Sequence, residues 1–123
     1  MKIPCEIVVW YVLPMIRREV SKELVHTHGM TQAEVARRFG VTDAAISQYL
    51  KKKRGGNAII DDNPLYPEFQ EEVKVSAARI AEDKSDFATE MCRLCCIVKK
   101  TGLLAVIYKA QTGMVPPNCA QDI

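Results

Sequence analysis

The chain predicts an all-α protein, and three observations carry the prediction. Apolar residues recur every three to four positions along 16–24, 69–80 and 87–98. A pair of short helices with capping residues fits 31–51, and Pro- and Gly-containing stretches punctuate the chain between such segments. With 123 residues and 48% apolar side chains, the chain suits one domain, or a small domain with an extension. Its core is real but not large, so a dimer interface would help it.

The first element is ambiguous by period alone. Ile7 to Leu13 is an unbroken apolar run between Pro4 and Pro14, and its β-branched content leans toward strand. After Pro14, Ile16, Val20 and Leu24 recur at helical spacing among Arg17, Arg18, Glu19, Lys22 and Glu23. The expected element is a helix from about Pro14 to His28, closed by Gly29, with a kinked helical extension before it. An apolar run that large suits either a dimer contact or ordinary core. The start MKIPCEIVVWYVLP does not suit a secretory signal, because Glu6 interrupts it, the apolar run is short and no small-residue cleavage site follows. No apolar run approaches the ~20 residues of a membrane span. A cytoplasmic location with no membrane partner is expected. His26 and His28 lack the three- or four-residue spacing of a helical metal pair and read as solvent-facing.

The stretch TQAEVARRFGVTDAAISQYLKKKR, residues 31–54, comes next. Thr31 with Glu34 three residues on makes a capping box for a helix from Gln32. Gly40 stands where the turn needs a residue without a Cβ, and Thr42 caps a second helix to about Lys51. Val35, Ala36, Phe39, Val41, Ile46, Tyr49 and Leu50 are expected inside; Asp43, Ala44, Ser47, Gln48 and Lys51 share the outer face of the second helix. The segment 31–54 holds six Lys/Arg against two acids, whereas 55–90 holds three against nine, although the net charge is only +2. A polyanion would dock on the first module.

On Gln32, Ala36, Gly40, Val41, Ile46 and the Ile-Ser-Gln triplet at 46–48, the stretch resembles the helix-turn-helix of the Cro and lambda-repressor class. The resemblance implies a lambda-repressor-like bundle with a helical C-terminal extension, and double-stranded DNA as partner. The second helix would enter the major groove while the first crosses the backbone. Gln48 would read a base bidentately, Ser47 would reach base or phosphate, and Ala44 would meet a thymine methyl. Asp43 could accept from cytosine or simply suit the helix N-terminus. Gln32 and Thr42 are placed as phosphate contacts, with Lys51, Lys52, Lys53 and Arg54 as a basic clamp. One module makes few contacts, so a homodimer on a two-fold site is expected.

Asp61 to Pro67 reads as a loop, then a helix from Pro67 to about Asp83 with Phe69, Val73, Ala77 and Ile80 on one face. A further helix from about Asp86 to Lys100 carries Phe87, Met91, Leu94, Ile97 and Val98 and stops at Gly102. Leu103 to Tyr108 is a short apolar segment of open type, a strand being one option. The tail from Gln111 to Ile123 is expected to be poorly ordered. The resulting division is 1–60 for DNA binding, 61–110 for dimerisation or sensing, and 111–123 as tail.

Five cysteines, an odd number, do not suit a secreted disulfide framework. Cys92, Cys95 and Cys96 lie three and four apart on one helix, a spacing that serves either metal ligation or buried small apolar residues. A zinc ion or an iron–sulfur cluster would need about four ligands, the rest coming from Cys5, Cys119 or a second subunit. A thiol–disulfide enzyme would need a βαβ setting that the pattern lacks, so no enzyme is expected.

PCEIVVWYVLP, TQAEVARRFGVTDAAISQYL and MCRLCCIVKKTGLL together resemble a family of small archaeal predicted transcriptional regulators that pair a Cro-type motif with a cysteine-bearing C-terminal segment. The resemblance spans about residues 3–108. It implies further cysteines at positions occupied here by Thr89 and Ala105, so Cys92 and Cys95, with Cys5, keep the pattern. The alternative reading is a metal- or redox-sensing or protein-interaction module on a repressor-like scaffold.

Overall fold

In the computed structural model, residues 4–51 and 62–114 are described, and among them every regular element is helical. The chain runs α1 (Pro4–Ile7), a π-helical turn (Val8–Val12), α2 (Leu13–His26), α3 (Gln32–Phe39), α4 (Asp43–Leu50), α5 (Tyr66–Ala81), α6 (Phe87–Lys100) and α7 (Leu103–Thr112). No helix among the described residues is long and apolar enough to cross a membrane.

The first three elements form one helical rod, since Ile7, Val12 and Leu13 all keep right-handed helical backbone angles. Pro14 explains the wide turn inside it. A proline has no N–H to give to the carbonyl four residues back, and its ring crowds that carbonyl. The chain accommodates this with a π turn, in which the Leu13 N–H bonds to Val8 O, five residues back. The β-branched run 7–13 is therefore helical. Ile7 and Val12 are fully buried, and packing on α2 and α7 overrides the strand preference of their side chains.

α2 is the hub. Met15, Ile16, Val20 and Leu24 are buried on it, and α3, α4, α5 and α6 all pack against it. A single apolar core runs from Ile7 on the rod to Tyr108 on α7. α5 contributes Phe69, Val73, Ala77 and Ile80, as its period predicts, and α6 contributes Leu94 and Val98. Leu103–Tyr108, left open between helix and strand, belongs to α7. Leu103, Leu104, Ile107 and Tyr108 share a buried helical face against α6 and the rod. Gln111 and Thr112 close α7 rather than begin a tail. Residues 115–123 of the tail, Cys119 included, lie outside the described residues, as do Lys52, Lys53, Arg54 and the start of the 61–67 loop.

Two buried polar clusters fix how the helices seat. Between α2 and α5, the Tyr66 hydroxyl donates to Glu19 Oε1 at 2.6 Å and accepts from Arg18 Nη2 at 2.9 Å. Arg18 also pairs with Glu19 at 3.0 Å. Between α5 and α6, Glu90 Oε1 accepts from Ser76 Oγ at 2.8 Å and from Arg93 Nε at 3.1 Å, while Arg93 Nη1 reaches Glu72 at 2.7 Å. A buried charge stays ionised only when it is paired and hydrogen-bonded, so these contacts allow one seating of the helices and disfavour slipped ones.

Candidate nucleic-acid interface

The unit α3–turn–α4 is built by its caps. The Thr31 hydroxyl accepts from Glu34 N at 3.1 Å, the hydroxyl half of the expected capping box. Gly40 adopts φ +68°, in the left-handed region. Around it Val41 N bonds to Ala36 O at 3.0 Å and Gly40 N to Arg37 O at 3.3 Å, the paired bonds of a Schellman ending. Two residues later Thr42, in an extended conformation, accepts from Ala45 N at 3.1 Å and starts α4. Such a short turn leaves the two helices no freedom to drift apart.

α4 has a strict inside and outside. Ala45, Ile46 and Tyr49 are buried, and the helix packs on α2 and α3. Asp43, Ala44, Gln48 and Lys51 are exposed and Ser47 is half-exposed, which puts all five on one accessible face. Gln32, at the first turn of α3, is exposed, as is Thr42, whose hydroxyl keeps its proton to donate. The structure thus brings Gln32, Thr42, Asp43, Ala44, Ser47, Gln48 and Lys51 to the surface of one two-helix unit. The rest of the expected basic clamp, Lys52 to Arg54, lies outside the described residues.

Charge on α3 is divided in a way the sequence alone does not show. Arg37 and Arg38 count equally toward the basic module, yet among the described residues Arg38 alone of the two forms an ion pair. Arg38 Nη1 donates to Asp83 Oδ1 at 2.8 Å and to Ile80 O at 3.0 Å, at the C-terminal end of α5. Beside it Phe39 stacks on Phe87, the first residue of α6, with ring centroids 3.7 Å apart and planes 15° off parallel. α3 is thereby fastened to the α5–α6 connection as well as to α2. One signal was available: Arg38 lies three residues after the buried Val35, on the edge of the inner face. A hollow of about 430 Å³ opens beside this clamp, but its charges are already engaged, Arg38 with Asp83 and Lys84 with Glu82.

Cys92, Cys95 and Cys96 sit on α6, and Cys5 is exposed on α1. Cys92 and Cys96 are exposed and Cys95 is half-buried, packed against the core. Burial pushes the Cys95 thiol above its ordinary range; nearby Lys99 opposes this, while Cys96 and Cys92 add to it. A metal ligand must be a thiolate, so this environment works against Cys95 as one. Among the described residues, no three His, Cys, Asp or Glu side chains are grouped to hold a metal ion. The function proposed below uses neither zinc nor a cluster.

Comparison with protein-family models, with curated proteins and with solved structures found no match for this chain.

Proposed function

We propose that this protein is a sequence-specific, DNA-binding transcriptional regulator with a repressor-like helix-turn-helix, acting as a homodimer with α4 in the major groove. The observation that carries the reading is the division of α4. Its inner residues are locked into the core, while Asp43, Ala44, Ser47, Gln48 and Lys51 stand together on the outside. A side chain discriminates bases only if its backbone is held to a fraction of an ångström, and a helix capped by Thr42 with its inner face buried on α2 provides that support. Polar termini at Ser47 and Gln48 suit base edges, and the Gln48 amide fits the donor–acceptor pair of adenine. Thr42 and Gln32, near helix starts, suit phosphates, and Lys51 to Arg54 add counter-charge.

Selection of bound duplexes from random DNA tests this. The expected product is a two-fold repeat whose half-sites are separated by about one helical turn, ~34 Å. A pool that never enriches would exclude the reading.

A second reading is favoured by one observation. α6 carries the exposed Cys92 and Cys96, and its first residue Phe87 stacks on Phe39 of α3. A thiol-sensing or protein-interaction module on the same scaffold would use that connection. It predicts that modification of Cys92 or Cys96 changes the behaviour of α3–α4, whereas a plain DNA reader would be indifferent to it.

A further inference from the structure

The outer face of the N-terminal rod is the least explained surface of the molecule. Glu6, Val9, Trp10, Leu13 and Arg17 follow one another at steps of three, one, three and four, which lines them along one side of the rod. Ile7, Val12, Met15 and Ile16 lie on the other side and are buried. On the outer side Val9 is 58% exposed and Trp10 68% exposed, while Leu13 and Arg17 are partly covered. No charged residue falls between Glu6 and Arg17. The stripe is therefore apolar in its middle, acidic at its start and basic at its end.

Among the described residues, neither end charge finds a partner. The ion pairs among the described residues include neither Glu6 nor Arg17, and the buried Nε of Arg17 has no hydrogen-bond partner.

We propose that this stripe is the docking surface for a second copy of the same chain, packed antiparallel about a two-fold axis. Reversing the stripe on itself sets Glu6 opposite the partner's Arg17 and Trp10 opposite the partner's Leu13. One register satisfies both of these pairs, because the opposed residue numbers sum to the same value each time. A two-fold interface meets its own image, so a surface bearing one sign of charge would repel itself. This one carries opposite signs at its two ends and neutralises both. Other occupants fit less well. A polyanion would meet Glu6 and find one cation, and an anionic lipid surface prefers a helix rich in Lys and Arg. Trp at the centre with charges at the rim is the usual layout of an interface that binds. The inference supplies the second copy that the DNA-reading proposal needs, and rests on that proposal for its biological purpose alone.

The test uses the full chain without DNA, so it can fail while DNA reading stands, and DNA reading can fail with the dimer intact. Trp10 is the single tryptophan, so its emission reports this surface alone. In sedimentation the chain is expected to be a dimer. On dilution its emission should shift to that of water-exposed indole, in step with dissociation. Glu6→Arg should weaken the dimer about tenfold or more, by setting like charges opposite each other, as should Arg17→Glu. The double reversal should recover most of the loss, because it restores both pairs. Circular dichroism identifies any variant that fails to fold, and the native-chain emission decides the matter without variants. A monomer at every concentration would overturn the proposal. So would a dimer whose Trp10 stays water-exposed, a shielded emission that persists where sedimentation shows the monomer, or a double reversal no better than either single change.

Discussion

Arg38 and Asp83, 45 residues apart in the chain, form a charge-assisted hydrogen bond of 2.8 Å that fastens the first helix of the α3–α4 unit to the end of α5. Asp83 sits in the left-handed region at φ 58°, an unusual place for a residue that is not glycine. There it ends α5, with Lys84 N bonded to Arg79 O at 2.9 Å and Asp83 N bonded to Ile80 O at 3.1 Å. Arg38 also donates to that same Ile80 carbonyl. One guanidinium therefore completes a helix ending and braces the helix that carries Gln32.

The Asp83 side chain is 76% exposed, so the ion pair itself is screened and modest. Arg38→Ala should lower stability by about 1 kcal/mol, since it also removes the hydrogen bond to Ile80 O. Asp83→Gly should be the more stable of two replacements, exceeding Asp83→Ala by about 1 kcal/mol, because alanine has the full left-handed strain. Urea denaturation of the three variants gives the order. An Asp83→Ala protein as stable as Asp83→Gly would remove strain from the explanation.

The turn between α3 and α4 makes a second prediction. Nothing lies within 4 Å of a Cβ added at Gly40, so the penalty there comes from backbone conformation and not from a clash. Gly40→Ala is expected to destabilise by about 1–2 kcal/mol and Gly40→Asn by less. Thr42→Ala should lose about 1 kcal/mol by removing the cap on Ala45 N, and Thr42→Ser should restore most of it. Thermal unfolding measures both. Equal loss from Ala and Asn at Gly40 would contradict the conformational account.

Acid should loosen the α5–α6 seam. Burial pushes the Glu90 carboxyl upward, but hydrogen bonds from Ser85, Ser76 and Arg93 outweigh it and hold the group below its ordinary 4.5. A carboxyl whose folded value is depressed adds stability that is present above the unfolded value and lost as pH falls through the folded one. This contribution should therefore be full at neutral pH and disappear below about 4.5. Glu90→Gln should flatten the acid limb of a stability–pH curve. Glu90→Ala should destabilise at pH 7 by about 3 kcal/mol at most, because Arg93 keeps Glu72 as a partner. An unchanged acid limb in Glu90→Gln would show that other carboxylates dominate it.

Much of this was legible because it is local chemistry. Thr31, Gly40 and Thr42 act on neighbours within three or four residues, so the ends of α3 and α4 can be read from the letters. The period of Phe69, Val73, Ala77 and Ile80 likewise placed α5, with its boundary one or two residues off. Two things were hidden. Ile7–Leu13 and Leu103–Tyr108 are apolar without a polar partner phase, so period could not separate helix from strand; mutual packing of the rod, α6 and α7 decides it. The pairing of Arg38 with Asp83, and of Phe39 with Phe87, depends on tertiary approach that no spacing encodes. The exposure of Gln48 and Ala44 follows from the motif's own period, whereas the loss of Arg38 from the basic surface does not.

Gln48 and Lys51 should behave differently on DNA. Both are exposed on the outer face of α4, but an amide reads a base edge and an ammonium meets phosphate. Gln48→Ala is expected to reduce discrimination at one base pair by about 1–3 kcal/mol, leaving other positions unaffected. Lys51→Ala should weaken all duplexes alike. Competition binding on single-base variants of the selected site separates the two. A Gln48→Ala protein with full discrimination would move the reading of sequence to another residue.

The most direct test of the central claim is the affinity of the native chain for its selected duplex as a function of salt. A dimer neutralising about six phosphates should give a log–log slope near −5, and Lys51→Ala should make it shallower by roughly one per subunit. A flat dependence, with α3 and α4 folded, would contradict DNA binding by this surface.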